Sequence, residues 1–343
     1  MRALTISAHG ALDRIELRDD LPVPALRAPD DVRVRVTAAA LNHLDVFVVG
    51  GLPGVTISPP WILGADATGV VDAAGPDAGV QVGETVVINP GLSCRRCAYC
   101  DAGEHPLCVR FGLLGEHHPG TFAEYVVVPA ANVRAVPAAI PAAERAAFTL
   151  ATLTAWRMLV TRARLRPGED VLIWGIGGGV ALAALQIAKR LGARVWVTSG
   201  SEAKLARARE LGADETLDHH RQDVVREIRA RTAKRGMDVV VDNVGQATWS
   251  RSLGVLGRGG RLVTCGATSG PVVETDVRRM FWNRWSLLGS TMGNDAEFDA
   301  VVAELAAGHL RPVIDTVLPL ADGRAAFERL AAGEQFGKIV LET

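Results

Sequence analysis

Apolar and polar side chains alternate at every second position through Val32-Arg33-Val34-Arg35-Val36, the pattern of a strand with one buried face. Gly69-Val70-Val71 and Thr85-Val86-Val87-Ile88 are further short apolar runs, and proline and glycine punctuate the region, as at Pro53-Gly54 and Pro59-Pro60. Residues 1 to about 130 therefore predict short strands joined by turns. After about 150 the rhythm changes to strands alternating with amphipathic stretches. Val171-Leu172-Ile173-Trp174 predicts a strand, followed by a glycine turn and a helix from Val180 to Leu191 that Gly192 closes. Arg194-Val195-Trp196-Val197-Thr198 predicts the next strand, and Glu202 to Leu211 a helix closed by Gly212. Asp238 to Asp242 and Arg261 to Thr264 read as later strands, and the chain ends on the apolar run Lys338-Ile339-Val340-Leu341. Such alternation implies βαβ units and a doubly wound parallel sheet, an α/β fold.

A length of 343 residues allows two domains at roughly 150 residues each. With 48% apolar and 22% charged residues and a formal net charge of -1, the composition is that of a globular protein with no basic surplus for nucleic acid. The first residues, Met1-Arg2-Ala3-Leu4-Thr5-Ile6-Ser7, lead into a strand pattern rather than a signal peptide. Val171 to Ala188 carries no charge over 18 positions, but glycines 175, 177, 178 and 179 in its middle favour a buried strand, turn and helix over a membrane span. The expectation is a cytoplasmic protein without a membrane or nucleic-acid partner.

Gly175-Ile176-Gly177-Gly178-Gly179-Val180-Ala181 lies between the predicted strand and helix, the context a dinucleotide fingerprint requires. Glycines there let backbone N–H groups approach a pyrophosphate at the helix N-terminus. An NAD enzyme usually places an acid near the end of the next strand to bind the ribose 2′-hydroxyl. Here Thr198-Ser199-Gly200-Ser201 is followed by Lys204, which suits a 2′-phosphate and favours NADPH over NADH. The alternative is that Lys204 is a solvated helix residue and Glu202 serves NAD.

Cys94, Cys97, Cys100 and Cys108 lie close together and predict one tetrahedral Zn²⁺ with no open position, hence a structural site. Cys265 follows a later strand and is expected in the core.

Closely spaced cysteines in a β-rich N-terminal half, ahead of a glycine-turn half, resemble the medium-chain dehydrogenase/reductase family of zinc-type alcohol dehydrogenases. Supporting stretches are Asn42-His43-Leu44-Asp45, Leu63-Gly64-Ala65-Asp66, Gly120-Thr121-Phe122-Ala123-Glu124-Tyr125, Leu211-Gly212-Ala213-Asp214 and Phe336-Gly337-Lys338-Ile339-Val340. The chain is especially similar to the quinone oxidoreductase-like and enoyl-reductase branches. The resemblance implies a GroES-like catalytic domain over 1–151 and 292–343, and a Rossmann domain over 152–291. Zinc-dependent members carry cysteine where this chain has Asn42, Gly-His-Glu where it has Gly64-Ala65-Asp66, and a third ligand near Leu150. Asn, Ala and Leu cannot build a catalytic zinc site, although His43, Asp45 and Asp66 leave an altered metal site conceivable.

What remains is chemistry by nicotinamide and hydrogen-bond donors. The expected reaction is NADPH-dependent reduction of an enone, enal or quinone. Asn42 would donate a side-chain N–H to the acceptor carbonyl, Asp45 and Asp66 would orient that site or relay a proton, and His43 would orient or pack. The glycine turn and the end of the next strand are expected to contact the cofactor through Gly175, Gly177, Gly178, Gly179, Val180, Ser199, Gly200, Ser201 and Lys204; the resemblance further implies contacts from Thr154, Asn243, Val244, Gly266 and Ala267, with His219 and Lys338 at the adenosine phosphate. Trp282 to Gly289 carries two tryptophans and suits either an edge strand pairing two subunits, as homodimer or homotetramer, or ordinary core packing. The alternatives are an alcohol dehydrogenase acting on a small alcohol, aldehyde or ketone, and a non-catalytic NADPH-binding protein.

Overall fold

The computed structural model describes residues 1–343. Contacts divide the chain into two compact units, Met1–Leu153 with Gly293–Thr343, and Thr154–Met292.

The second unit is built on six parallel strands: β1 (Asp170–Ile173), β2 (Arg194–Ser199), β3 (Glu215–Asp218), β4 (Met237–Val241), β5 (Leu256–Thr264) and β6 (Ser286–Gly289). Their order in the sheet is β3-β2-β1-β4-β5-β6, so the direction of winding reverses between β1 and β4. In such sheets a ligand crevice opens at that switch point, outside the carboxyl ends of the strands. Strands covered on both faces read as unbroken apolar runs, and Val171, Leu172 and Ile173 are indeed all buried. Helix α1 (Gly179–Arg190) starts directly after the glycine turn, and α2 (Glu202–Glu210) follows β2.

The periodicity misses one strand here, and one expectation needs correction. β3 has little apolar patterning and escapes a periodicity reading. The run from Trp282 to Gly289 is split between two elements: Trp282 lies in the last turn of a short helix, Val277–Asn283, and only Ser286–Gly289 is the edge strand. Trp285 turns inward and donates its indole N–H to the Gly257 carbonyl at 2.8 Å, whereas Trp282 is 73% exposed.

The first unit centres on the strand Asp31–Ala40. Asp66–Ala74 and Tyr125–Pro129 pair with it antiparallel, as does Lys338–Glu342, which itself runs parallel to Ile314–Pro319. The helix Ala142–Trp156 brings Ala146 and Ala147 against Ala38, Ala40 and Val340. Those small side chains let the helix lie close to the sheet and carry Thr149 and Leu150 over its end.

Candidate functional site

Three strand ends meet in the first unit because of register. Ala40 pairs with Asp66 on one side and with Val340 on the other. Alternation then puts Asn42, two residues past Ala40, and Lys338, two before Val340, beside Asp66. The Lys338 ammonium lies 2.9 Å from Asp66 Oδ2 and 2.5 Å from Asn42 Oδ1. Asn42 Nδ2 donates to Asp66 Oδ2 at 2.9 Å and, over a longer 3.4 Å, to the Ala40 carbonyl. The amide orientation follows from this network: its oxygen must face the ammonium, which can only donate. On the other carboxylate oxygen, Asp66 Oδ1 accepts from Thr149 Oγ1 at 2.5 Å and from the Leu150 backbone N–H at 2.8 Å. Four donors occupy the four lone-pair positions of Asp66, so this buried anion is fully satisfied.

This arrangement changes three expectations. The Asn42 side-chain N–H groups are already committed, so Asn42 positions Lys338 and Asp66 instead of donating freely to a substrate. Asp66 is an orienting anion with no lone pair left for proton relay. Lys338 is closed off from solvent and neutralised by Asp66, so its charge is not available to an adenosine phosphate. Thr149, the Leu150 N–H and this role of Lys338 escape a sequence reading. The available signal was a lysine opening an apolar terminal strand directly after a glycine.

Asp45 is buried, and its carboxylate accepts the Asn42 backbone N–H at 2.7 Å across the first turn of the helix His43–Gly50. Burial pushes its carboxyl up to about 7, with the charges of Asp66 and Glu116 adding to the effect. His43 is exposed, its ring tilted against Phe47. With His43 turned outward and Asp66 saturated, the three do not form an altered metal site.

The four cysteines do converge. All four Sγ atoms lie within 4.8 Å of one another, and Cys97 and Cys100 are 3.6 Å apart. A tetrahedral zinc with Zn–S bonds of about 2.3 Å needs sulfurs about 3.8 Å apart, so the quartet fits with a small contraction. Cys108 Sγ accepts the backbone N–H groups of Cys94 at 3.1 Å and Arg110 at 3.3 Å. Backbone N–H groups of Cys100 and Val109 pull the Cys97 thiol down to about 6, toward the thiolate a metal requires. The Arg95–Asp295 ion pair and the Asn294 side-chain bond to the Gly103 carbonyl, at 2.9 Å, tie this lobe to the start of the helix Asp295–Ala306. Cys265 stands apart, its thiol pushed up to about 12 by burial.

In the second unit the glycine turn leaves β1 with Gly175 at φ +68° and Gly177 at φ +130°, conformations that glycine adopts without strain. The Gly175 N–H bonds Thr198 Oγ1 at 3.1 Å, and the Ile176 N–H bonds the Thr198 carbonyl at 2.8 Å. Thr198 is thus spent on shaping the turn. Gly178 caps α1 without any side-chain partner, and a Cβ added there would meet nothing within 4 Å. At the end of β2, Ser199 Oγ accepts the Ser201 N–H, and Ser201 Oγ accepts the Lys204 N–H. Glu202 is exposed and paired with Arg209 at 2.9 Å.

The fold's own accounting points to a ligand at the carboxyl edge of this sheet. Buried polar atoms are rarely left unpaired. Seven such side-chain atoms lack a partner, and four of them, Trp174 Nε1, His219 Nδ1, Asn243 Oδ1 and Ser290 Oγ, follow the carboxyl ends of β1, β3, β4 and β6. Val244 and Ala267 accompany them on the loops after β4 and β5, and Thr154, also in this unit, is buried with its hydroxyl 3.7 Å from Met292 Sδ. The site therefore fits a dinucleotide.

A switch-point sheet with a glycine turn, joined in one chain to a β-rich unit bearing a four-cysteine lobe, defines a dinucleotide-dependent oxidoreductase. Residues 28–138 match the family described as alcohol dehydrogenase GroES-like domain, and residues 179–307 the family described as zinc-binding dehydrogenase. The chain is 32% identical to the zinc-type alcohol dehydrogenase-like protein YogA of Leptosphaeria maculans, over 92% of this chain and 91% of that protein. It is 27% identical to human quinone oxidoreductase, over 99% and 97% of the two chains. A crystal structure of an NAD-dependent alcohol dehydrogenase aligns over 100% of both chains with a TM-score of 0.95 and 45% identity. This chain belongs to the zinc-type alcohol dehydrogenase superfamily of medium-chain dehydrogenases/reductases. No helix is long and apolar enough to cross a membrane.

Proposed function

We propose that this chain reduces an activated C=C bond of an enone or enal, or a quinone, with NADPH and without a catalytic zinc. One observation carries the reading: the positions at which zinc-dependent relatives hold their metal contain Asn42, Ala65 and Leu150, while the remaining anion, Asp66, is saturated by four donors. An alkoxide formed from a simple ketone needs an electrophile such as a metal ion. An enolate or hydroquinone anion delocalises its charge, and hydrogen-bond donors are then sufficient. Lys338 keeps one N–H beyond those given to Asn42 and Asp66, held in place by both.

Bound NADPH would supply the hydride. Gly175, Gly177, Gly178, Gly179 and Val180 would hold its pyrophosphate, Ser199, Gly200, Ser201 and Lys204 its adenosine ribose phosphate, and Thr154, Asn243, Val244, Gly266 and Ala267 the remainder. Cys94, Cys97, Cys100 and Cys108 would hold one structural Zn²⁺. Reduced thiols at that site suit a cytoplasmic protein. We further propose a homodimer formed by antiparallel pairing of the exposed β6 edge about a two-fold axis, with Phe281 and Trp282 beside it, 62% and 73% exposed, covered by the second copy.

A second reading, an NAD-dependent alcohol dehydrogenase, is favoured by the similarity to that solved structure. A screen of NADPH and NADH oxidation against 2-alkenals, cyclic enones, quinones and ketones, with metal analysis, separates the two. Alkene or quinone turnover with one zinc per chain is expected. Turnover of ketones or alcohols alone, with two zinc ions per chain, would overturn the proposal.

A further inference from the structure

Gly200 is glycine for a reason its backbone does not supply, since its φ is not positive. A Cβ at this position would lie 2.2 Å from Cε1, 2.4 Å from Nδ1 and 2.9 Å from Nε2 of His220. The absent side chain is therefore the space in which the His220 imidazole lies, against the end of β2. The loop that carries it is fixed at two points. The His219 N–H bonds the Ser199 carbonyl at 3.2 Å, and the His220 N–H bonds Asp218 Oδ1 at 2.9 Å. The ring itself is exposed and hydrogen-bonds to nothing, its one ring contact being the edge-to-face approach of His219 at 4.7 Å between centroids.

The charges around it are already sorted. The Asp218 carboxylate is capped by backbone N–H groups and paired with Arg221 at 3.4 Å, and Glu202 is paired with Arg209. Both of these acids are thus paired. His219 is half-buried, and burial lowers its pKa, with the charges of His220 and Arg251 lowering it further.

We infer that His220, rather than His219, is the specificity-determining residue for the 2′ substituent of the adenosine ribose. Its imidazole lies over Gly200 and, with Lys204 and the Ser199 and Ser201 hydroxyls, favours a 2′-phosphate over a 2′-hydroxyl. This inference rests on the NADPH reading above and adds a residue to it. A ring N–H donated to an ionised phosphate oxygen is a charge-assisted hydrogen bond, whereas a ribose hydroxyl gains little from the same donor.

The test is equilibrium binding to the full chain, by titration calorimetry or tryptophan fluorescence, with NADPH and NADH as probes. Wild type is expected to bind NADPH at least about tenfold more tightly than NADH. His220→Ala should weaken NADPH by about tenfold, in line with the loss of one charge-assisted hydrogen bond, and leave NADH within about twofold. Gly200→Ala, whose methyl must displace the imidazole, should weaken NADPH by a similar factor with residue 220 unchanged. If wild type prefers NADPH while His220→Ala weakens both nucleotides equally or neither, His220 is a packing residue and the inference fails alone. If wild type prefers NADH, the NADPH reading fails together with it.

Discussion

Lys338 and Asp66 form an ion pair 2.9 Å long in which the ammonium is 5% exposed and the carboxylate 0%. Two charges so far from water persist only because every lone pair of the acid and at least two N–H groups of the base have partners. Coulombic attraction alone rarely offsets the desolvation of such a pair. The cluster is therefore better read as a device for holding Asn42 and Lys338 in one geometry than as a source of stability.

Removing one member should show this. Lys338→Met leaves Asp66 buried and uncompensated, and is expected to cost about 3–5 kcal/mol. The double variant Asp66→Asn/Lys338→Met should recover part of that loss, because neither group is then a buried charge. Urea unfolding of four proteins, wild type, Lys338→Met, Asp66→Asn and the double variant, decides the matter. Losses in the double variant equal to the sum of the single ones would show that the two residues are not coupled.

Asp45 makes stability depend on pH in a calculable direction. Its carboxyl is pushed up to about 7 from an ordinary value of 3.8. Between those values the folded chain binds a proton that the unfolded chain has released. Stability contributed by this group is therefore present below about pH 4 and is lost as pH rises to about 7. Asp45→Asn keeps an acceptor for the Asn42 N–H and cannot ionise. The unfolding free energy of wild type relative to this variant should fall by about 4 kcal/mol between pH 4 and pH 8. A constant difference across that range would show that Asp45 titrates normally.

Gly178 separates ligand binding from folding. A methyl there meets no atom of the chain within 4 Å, so Gly178→Ala should leave stability within about 1 kcal/mol of wild type. The same methyl stands where backbone N–H groups would approach a pyrophosphate. Nucleotide affinity, measured by calorimetry, should fall by about tenfold or more, and unchanged affinity would remove the glycine turn from the binding site.

Chelation of the cysteine site should loosen one lobe. Elemental analysis is expected to give one zinc per chain, and Cys97→Ser to give none. Loss of the metal should lower the midpoint of thermal unfolding and expose residues 94–108 to limited proteolysis, because structural metal binding contributes folding free energy. Equal protease resistance with and without metal would argue that the lobe holds itself together.

The β6 edge can be tested without touching either site. Leu288→Lys with Trp282→Glu places charge on the exposed strand and its neighbouring helix. Light scattering should then report a monomer, against the dimer expected of wild type. An unchanged mass would place the subunit interface elsewhere.

Much of this was legible in the chain itself. The alternation over Val32–Val36, the buried run at Val171–Ile173, the glycine turn and the four cysteines are patterns within one element or one loop. Local sterics, side-chain period and ligand spacing determine them, and the structure places each as the pattern implies. What the pattern left open was how Asn42, Asp66, Thr149 and Lys338 meet. Asn42 and Lys338 are 296 positions apart, and no periodicity links them. Their meeting depends on which strands neighbour Ala40 and in what register, and a shift of one residue would turn Lys338 to the opposite face of the sheet. The same holds for His220 over Gly200, where a missing side chain has meaning only once a neighbouring loop fills its place. Sequence determined most of the elements and the grouping of the four cysteines; tertiary pairing decided which polar groups are free to act, because hydrogen-bond partners brought together from distant segments saturate one another.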